Sequence, residues 1–138
     1  MSVILIVEDD AQVRVLAESV LRDAGYEVLA ATAHEGAQAL LNSDRSIDLL
    51  FVDVNLGGDL EAGLRIAQSA RERRPFLPVI YTTGQGVDDG KKALFADPYL
   101  FLPKPYTSEQ LISSIAYLVN KNGGSGPPPG LPNLAQSI

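Results

Sequence analysis

Five short apolar segments alternate with segments of helical spacing along this chain of 138 residues. The first, Val3–Val7, is a continuous run of mostly branched side chains, which is typical of a strand buried on both faces. Between the runs, apolar residues recur every three or four positions, as they do on one face of a helix. The predicted strands are Val3–Val7, Tyr26–Ala31, Ile47–Val52, Val79–Thr82 and Tyr99–Leu102. This alternation predicts a parallel sheet with helices on both faces.

The number of units predicts the α/β class, with a flavodoxin-like, doubly wound five-stranded sheet in the order 2-1-3-4-5. One interval breaks the rhythm, because three glycines and an Asp-Pro step lie between Thr83 and Tyr99. We therefore expect the fourth helix to be short, irregular or replaced by a loop. Residues 1–121 are the predicted folded domain. Residues 122–138, which begin NGGSGPPPGLP, are a predicted Gly/Pro-rich tail without its own core.

Composition argues against several classes of function. The net charge is -6, and the densest basic group is only Arg71, Arg73 and Arg74, so direct nucleic-acid binding is not expected. The chain has no cysteine, which excludes disulfides and thiolate chemistry. No apolar run has the length of a membrane span, and the N-terminus lacks the pattern of a secretory signal. We expect a cytoplasmic protein with no membrane contact.

Acidic residues follow the first and third predicted strands. Glu8, Asp9 and Asp10 come directly after strand one, and Asp53 comes directly after strand three. The carboxyl ends of neighbouring parallel strands share one rim, so Asp9 and Asp53 should lie close together. Clustered carboxylates repel one another, and Mg²⁺, which prefers oxygen ligands, relieves that repulsion. A carboxylate that faces a phosphoryl donor can then act as the nucleophile and form an acyl phosphate.

Two further polar residues end the remaining strands at the same rim. The Thr83 hydroxyl ends strand four and can donate to a phosphate oxygen, while the Lys104 ammonium can pair with Asp53 and then with the phosphate. Phosphoryl transfer depends mostly on positioning and charge neutralisation, which these groups supply. Asp10 has a simpler explanation as the N-cap of the first helix. Pro105 after Lys104 predicts a cis peptide bond or a rigid turn.

These motifs together resemble the receiver domains of bacterial response regulators. The resemblance rests on the VEDD end of strand one, on Asp53, on Thr83-Gly84 and on Lys104-Pro105, and it covers about Val3 to Asn120. It implies a phosphorylation switch in a two-component phosphorelay that catalyses only its own phosphorylation and dephosphorylation. The implied partners are a sensor histidine kinase or a histidine phosphotransfer protein, with a homodimer as a further option. The run YTTGQG resembles a subgroup of alphaproteobacterial single-domain regulators with a degenerate fourth helix.

The resemblance also implies a metal site and a switch. For the metal, Mg²⁺, it assigns Asp9 and Asp53 as direct ligands, Glu8 as a ligand through water and the backbone carbonyl of Asn55. Asp53 is at the same time the implied phosphate acceptor. The implied catalytic and switch residues are Lys104, Thr83 and Phe101, of which Phe101 turns inward when Thr83 moves toward the phosphate.

The chain departs from the family pattern after Asp53. Its segment VNLGGDLEAG is about two residues longer than the common form, which has a proline before the glycine. An irregular fourth helix would also alter the family's usual output face, which runs along its fourth helix, fifth strand and fifth helix.

Two other functions fit part of the pattern. A Mg²⁺-dependent phosphatase with an aspartate nucleophile carries two aspartates separated by one residue after strand one, together with a cap insertion. Glu8 and Asp10 occupy that spacing here, and the sequence has no cap insertion. A pseudo-receiver that binds partners without phosphorylation is the second alternative, although every expected site residue is present.

Overall fold

The computed structural model describes residues 1–84, 95 and 98–120. The elements within them are β1 (Val3–Val7), α1 (Ala11–Asp23), β2 (Glu27–Ala31), α2 (His34–Leu41), β3 (Leu49–Asp53), α3 (Ala62–Arg73), β4 (Val79–Thr83), β5 (Tyr99–Pro103) and α4 (Ser108–Val119). The predicted irregular helix between β4 and β5 and the predicted tail of residues 122–138 lie outside the described residues. None of the described helices is long and apolar enough to cross a membrane.

The five strands form one parallel sheet in the order β2-β1-β3-β4-β5, which confirms the predicted doubly wound fold. The third strand begins at Leu49, two residues later than predicted, and it includes Asp53. The Asp48 side chain accepts the backbone N–H of Val3 at 2.7 Å, and the Asp48 N–H donates to the Val3 carbonyl at 2.8 Å, so these contacts with β1 directly precede the strand. Asp53 therefore ends a strand that is buried along its whole length.

Strand side chains alternate between two apolar cores, one on each face of the sheet. Ile4 and Ile6 pack with residues of α1 and α4, whereas Leu5 and Val7 pack with residues of α2 and α3. Because both faces are covered, all five residues of β1 are buried. The double covering explains why the strands are continuous apolar runs in the sequence.

Two helices begin with side-chain caps at the rim where the strands end. The Asp10 carboxylate accepts the N–H groups of Gln12 at 2.9 Å and Val13 at 3.2 Å, which confirms its predicted role as the N-cap of α1. Thr107 and Gln110 form a reciprocal capping box at the start of α4. These caps fix the loops that follow β1 and β5, and both loops carry predicted site residues.

Arginines of the densest basic group bind backbone carbonyls. Arg71 donates to the carbonyls of Leu77 and Pro98, both at 2.8 Å. Arg74 donates to the carbonyl of Ser43 at 3.0 Å. These guanidinium groups hold loops at the amino-terminal edge of the sheet, opposite the predicted site.

The start of α3 approaches the end of β3 more closely than a side chain would allow. Gly63 donates its N–H to the carbonyl of Val54 at 2.9 Å. A Cβ atom on Gly63 would lie 2.2 Å from the carbonyl oxygen of Asp53 and 2.7 Å from the Cα of Val54. Both atoms belong to the backbone, so relief would require the helix or the strand end to move. Glycine at this position therefore allows α3 to begin directly against the backbone of Asp53.

We expect Gly63→Ala to destabilise the fold by about 1–3 kcal/mol, because the added methyl overpacks against backbone. Gly36→Ala in α2 is the matched control, since its Cβ would make ordinary contact at 3.5 Å with Ala31. That variant should instead stabilise the protein by about 0.4–1 kcal/mol through a less flexible unfolded chain. Urea unfolding measures the free energy of unfolding of both variants. Equal changes of this free energy in Gly63→Ala and Gly36→Ala would contradict the close approach of α3 to the end of β3.

Candidate functional site

The strand register brings polar residues from three strands together. Val7 of β1 lies opposite Val52 of β3, so the next residues, Glu8 and Asp53, are neighbours at the rim. On its other side, Asp53 lies opposite Thr82 of β4. Glu8 and Asp53 are only 3% and 4% exposed. The rim thus holds two buried carboxylates, Glu8 and Asp53, side by side.

Lys104, the first residue after β5, joins these two carboxylates. Its Nζ lies 2.7 Å from Oε1 of Glu8 and 2.7 Å from Oδ2 of Asp53. Its backbone N–H donates to the carbonyl of Thr83 at 3.1 Å, which ties the β5 end to the β4 end. The peptide bond between Lys104 and Pro105 is cis, one of the two forms predicted.

Burial and pairing shift the pKa values of the groups in this cluster. Burial raises the pKa of Glu8 above 4.5, although the hydrogen bond from Lys104 opposes the shift. For Lys104, burial disfavours the charge, but the bonds to Asp53 and Glu8 outweigh it and raise the pKa above 10.5. Burial and the Glu8 charge raise the pKa of Tyr106 to about 12. The ammonium therefore stays charged at neutral pH and stabilises two carboxylates that are short of water.

The acidic residues of β1 and β3 also form a set of oxygen atoms suited to a cation. Glu8, Asp9 and Asp53 each offer a carboxylate oxygen, and these atoms lie within 4.8 Å of one another. The N–H of Asn55 donates to Oδ1 of Asp53 at 2.9 Å. The side-chain Oδ1 of Asn55 is buried and has no hydrogen-bond partner among the described residues. Such an oxygen-only set matches the preference of a hard divalent cation such as Mg²⁺.

Thr83 and Phe101 share one face of the sheet. Tyr81 lies opposite Phe101 in the register of β4 and β5, and Thr83, two residues further along, points to the same side. Phe101 is half-buried, and its ring stacks at 6.0 Å on that of Phe95. Thr82 points to the opposite face, and its buried hydroxyl has no partner within the described part of the chain. The alternation therefore places the side chains of Thr83 and Thr82 on opposite faces of the sheet.

Two features of the site were not predicted from the sequence. The ring of Tyr106 meets Phe51 edge-on at 5.7 Å and lies beside Glu8 and Lys104. In the sequence, only the position of Tyr106 directly after Lys104-Pro105 could have indicated this contact with the site. The N–H of Gly57 donates to Oδ2 of Asp9 at 2.8 Å. The Gly57-Gly58 pair is a known turn signal and could have predicted a tight turn, but not its contact.

Comparison with known proteins places most of the described fold in one family. Residues 4–116 match the response regulator receiver domain family. A receiver protein from Sinorhizobium medicae has a solved structure with a TM-score of 0.79 and 31% identity, covering 86% of this chain and 94% of that one. The transcriptional regulatory protein CpxR of Klebsiella pneumoniae is 33% identical over 125 residues, which are 88% of this chain. The nitrogen assimilation regulatory protein NtrX of Azorhizobium caulinodans is 30% identical over 110 residues, or 79% of this chain.

The curated relatives are longer than the part they share with this chain. The match covers 51% of the Klebsiella protein and 24% of the Azorhizobium protein. The similarity therefore concerns one domain of those proteins.

Replacing Lys104 with methionine should leave Glu8 and Asp53 buried without their cation. We expect Lys104→Met to lose about 1–3 kcal/mol of stability near neutral pH in metal-free buffer. The loss should shrink toward acidic pH, because the folded state holds the Glu8 proton more tightly than the unfolded chain does. Protonated Glu8 is neutral and needs no cation beside it. In Lys104→Met the ammonium is gone, so the ionisation of Glu8 as the pH rises above 4.5 lowers the stability of the folded protein.

Urea unfolding at two pH values, in the presence of a chelator, measures this dependence. Arg45→Met is the matched control, because the Arg45–Glu27 pair is exposed on both sides and should contribute less than about 1 kcal/mol. A loss from Lys104→Met that is the same at both pH values would contradict the pairing argument.

Proposed function

We propose that this chain, which belongs to the receiver-domain family of response regulators, accepts a phosphoryl group on Asp53 and thereby switches its binding to a partner. The observation that carries the proposal is the position of Lys104, whose ammonium contacts Asp53 and Glu8 at 2.7 Å each. A carboxylate nucleophile next to a fixed cation at the open end of a parallel sheet is suited to phosphoryl transfer.

The proposed reaction moves a phosphoryl group from a phosphorylated histidine to Asp53. A carboxylate oxygen of Asp53 attacks the phosphorus atom, and the bond between phosphorus and the imidazole nitrogen breaks. The electron pair of that bond stays with the nitrogen, and the ring carries or takes up one proton from solvent, so the donor leaves as neutral imidazole and Asp53 becomes an acyl phosphate. Lys104 offsets the negative charge of the transferred group throughout. The donor would be a sensor histidine kinase or a histidine phosphotransfer protein.

A bound Mg²⁺ ion is part of the proposal. Asp9, Asp53 and the backbone carbonyl of Asn55 would hold it directly, and Glu8 would do so through a water molecule. The spacing of the three carboxylate oxygens, within 4.8 Å of one another, supports this assignment. When bound, the ion supplies positive charge that draws the phosphoryl oxygens toward the rim.

The switch itself would depend on Thr83 and Phe101. Phosphorylation adds negative charge and three acceptor oxygens next to the end of β4. The Thr83 hydroxyl can donate to one of these oxygens, and a move of Thr83 changes the space beside Phe101 on the same face. This activity would reside in residues 1–121, in the cytoplasm, and its outcome would be partner binding or dimerisation.

One observation disfavours the phosphatase alternative. Asp10 occupies the position of a second catalytic carboxylate, but its Oδ1 caps α1 by accepting the N–H groups of Gln12 and Val13. Glu8, the other residue of that spacing, is tied to Lys104 and to the N–H of Asp10. Each of these carboxylates thus has a structural partner, the start of α1 for Asp10 and Lys104 for Glu8, which disfavours a role in repeated hydrolysis.

Incubation with Mg²⁺ and acetyl phosphate should give a labile phosphate adduct on the full chain, because Asp53 contacts Lys104 and belongs to the acidic cluster with Glu8 and Asp9. Asp53→Asn should give none, and removal of Mg²⁺ by a chelator should suppress the adduct. Intact-mass spectrometry measures the adduct directly. Asp44→Asn is the matched control, since Asp44 is exposed and distant from the rim, and it should be phosphorylated normally.

The outcome separates the three functions. Continuous release of inorganic phosphate without a change in partner binding or assembly would favour the phosphatase. Absence of any adduct, both with acetyl phosphate and with a panel of histidine kinases, would favour the pseudo-receiver and overturn the proposal.

A further inference from the structure

The lengthened segment after Asp53 forms a closed hairpin of four residues, Leu56 to Asp59. Leu56 and Asp59 exchange both backbone hydrogen bonds, at 3.1 and 3.0 Å. Gly57 and Gly58 at the tip have φ values of +59° and +83°, the left-handed conformations that a type I′ turn requires. The extra length noted in the sequence is therefore an ordered turn.

Both ends of this hairpin are anchored. The Leu56 side chain is buried in the core that packs against α2 and α3. The Asp59 carboxylate accepts the N–H of Glu61 at 3.0 Å and pairs with the guanidinium of Arg65 on α3. The N–H of Glu61, and after it the Arg65 charge, hold the pKa of Asp59 below 3.8, so the anchor is ionised at neutral pH.

The tip of the hairpin touches the acidic cluster. Gly57 donates its N–H to Oδ2 of Asp9 at 2.8 Å, and Asp9 is otherwise an exposed residue at the end of β1. This contact leaves the second oxygen of Asp9 available to a cation. The hydrogen bond therefore restrains the one exposed carboxylate among the three oxygen donors of the cluster.

We propose that this hairpin, held to α3 by the Asp59–Arg65 pair, is a positioning element that fixes the Asp9 carboxylate for Mg²⁺. The inference rests on the proposed function, because it assigns to the hairpin a role in that metal site. Arg65 and Asp59 act through Gly57 and have no direct contact with the ion.

The physical reason is the freedom that an exposed side chain loses when it binds a metal. A carboxylate that is already restrained loses less on binding, so the site binds the ion more tightly. Ordering one side chain is equivalent to a factor of about 2–10 in affinity. The anchors extend this restraint from α3 through the backbone of the turn to Asp9.

Arg65→Gln separates positioning from simple electrostatics, because the two predict opposite signs. Arg65 and Asp9 line the same cavity of about 370 Å³, so removal of the positive charge alone would strengthen Mg²⁺ binding. Loss of the anchor would weaken it. We expect a Mg²⁺ dissociation constant about 2–10 times larger for Arg65→Gln by isothermal titration calorimetry of the full chain. Arg65→Lys, which keeps the charge and can still pair with Asp59, should lie close to the unaltered protein.

A second measurement needs no metal. In the metal-free protein, Asp9→Ala should accelerate hydrogen exchange of the Gly57 amide and shift its NMR signal, because it removes the acceptor. Arg65→Gln should change the same signal, whereas Arg45→Gln, at another exposed ion pair, should not.

The two arms have different consequences. An affinity for Mg²⁺ that is unchanged or tighter in Arg65→Gln overturns the positioning role, as does a Gly57 amide that does not respond to Asp9→Ala. Failure of the unaltered protein to bind Mg²⁺ overturns the metal site of the proposed function and the positioning role with it. In that case, the response of the Gly57 amide to Asp9→Ala still tests whether the hairpin restrains Asp9.

Discussion

Buried carboxylates are costly unless a cation stays with them, and this constraint organises the rim of the sheet. Glu8 and Asp53 are almost fully buried, and Lys104 lies 2.7 Å from both. The backbone N–H of Lys104 donates to the carbonyl of Thr83, which fixes the main chain that carries the ammonium. The pairing keeps the acidic cluster compatible with a folded core, and it leaves a positive group beside Asp53, the proposed phosphate acceptor.

The rest of the fold serves to bring these groups to one place. Parallel strands in register put Glu8 beside Asp53 and Asp53 beside Thr82. Gly63 lets α3 lie directly against the end of β3, and Asp10 begins α1 immediately after the acidic run. Since these contacts involve backbone or short side chains, they hold the acidic residues of the rim in place. Such preorganisation is what phosphoryl transfer requires of a protein.

The hairpin after β3 restrains the exposed carboxylate of the cluster in a similar way. Lys104 fixes Asp53 from the β5 side, and the Gly57 N–H holds Asp9 from the β3 side. The anchors of this turn are the buried side chain of Leu56 in the core and the contact of Asp59 with Arg65 of α3.

The sequence by itself determined the alternation of strands and helices, and with it the fold class, because apolar runs and polar strand ends are local patterns. It also determined that Asp10 would cap α1. Some expectations could not be exact: the start of β3 depends on a bond between Asp48 and Val3, which are far apart along the chain. Only the tertiary structure placed Thr83 on the same face as Phe101, because that placement follows from the register of β4 with β5. It also decided that Lys104 bridges Glu8 as well as Asp53, and that Gly57 meets Asp9. Such contacts join strands and loops that are distant in sequence, and their geometry is set by packing and register, which no local pattern contains.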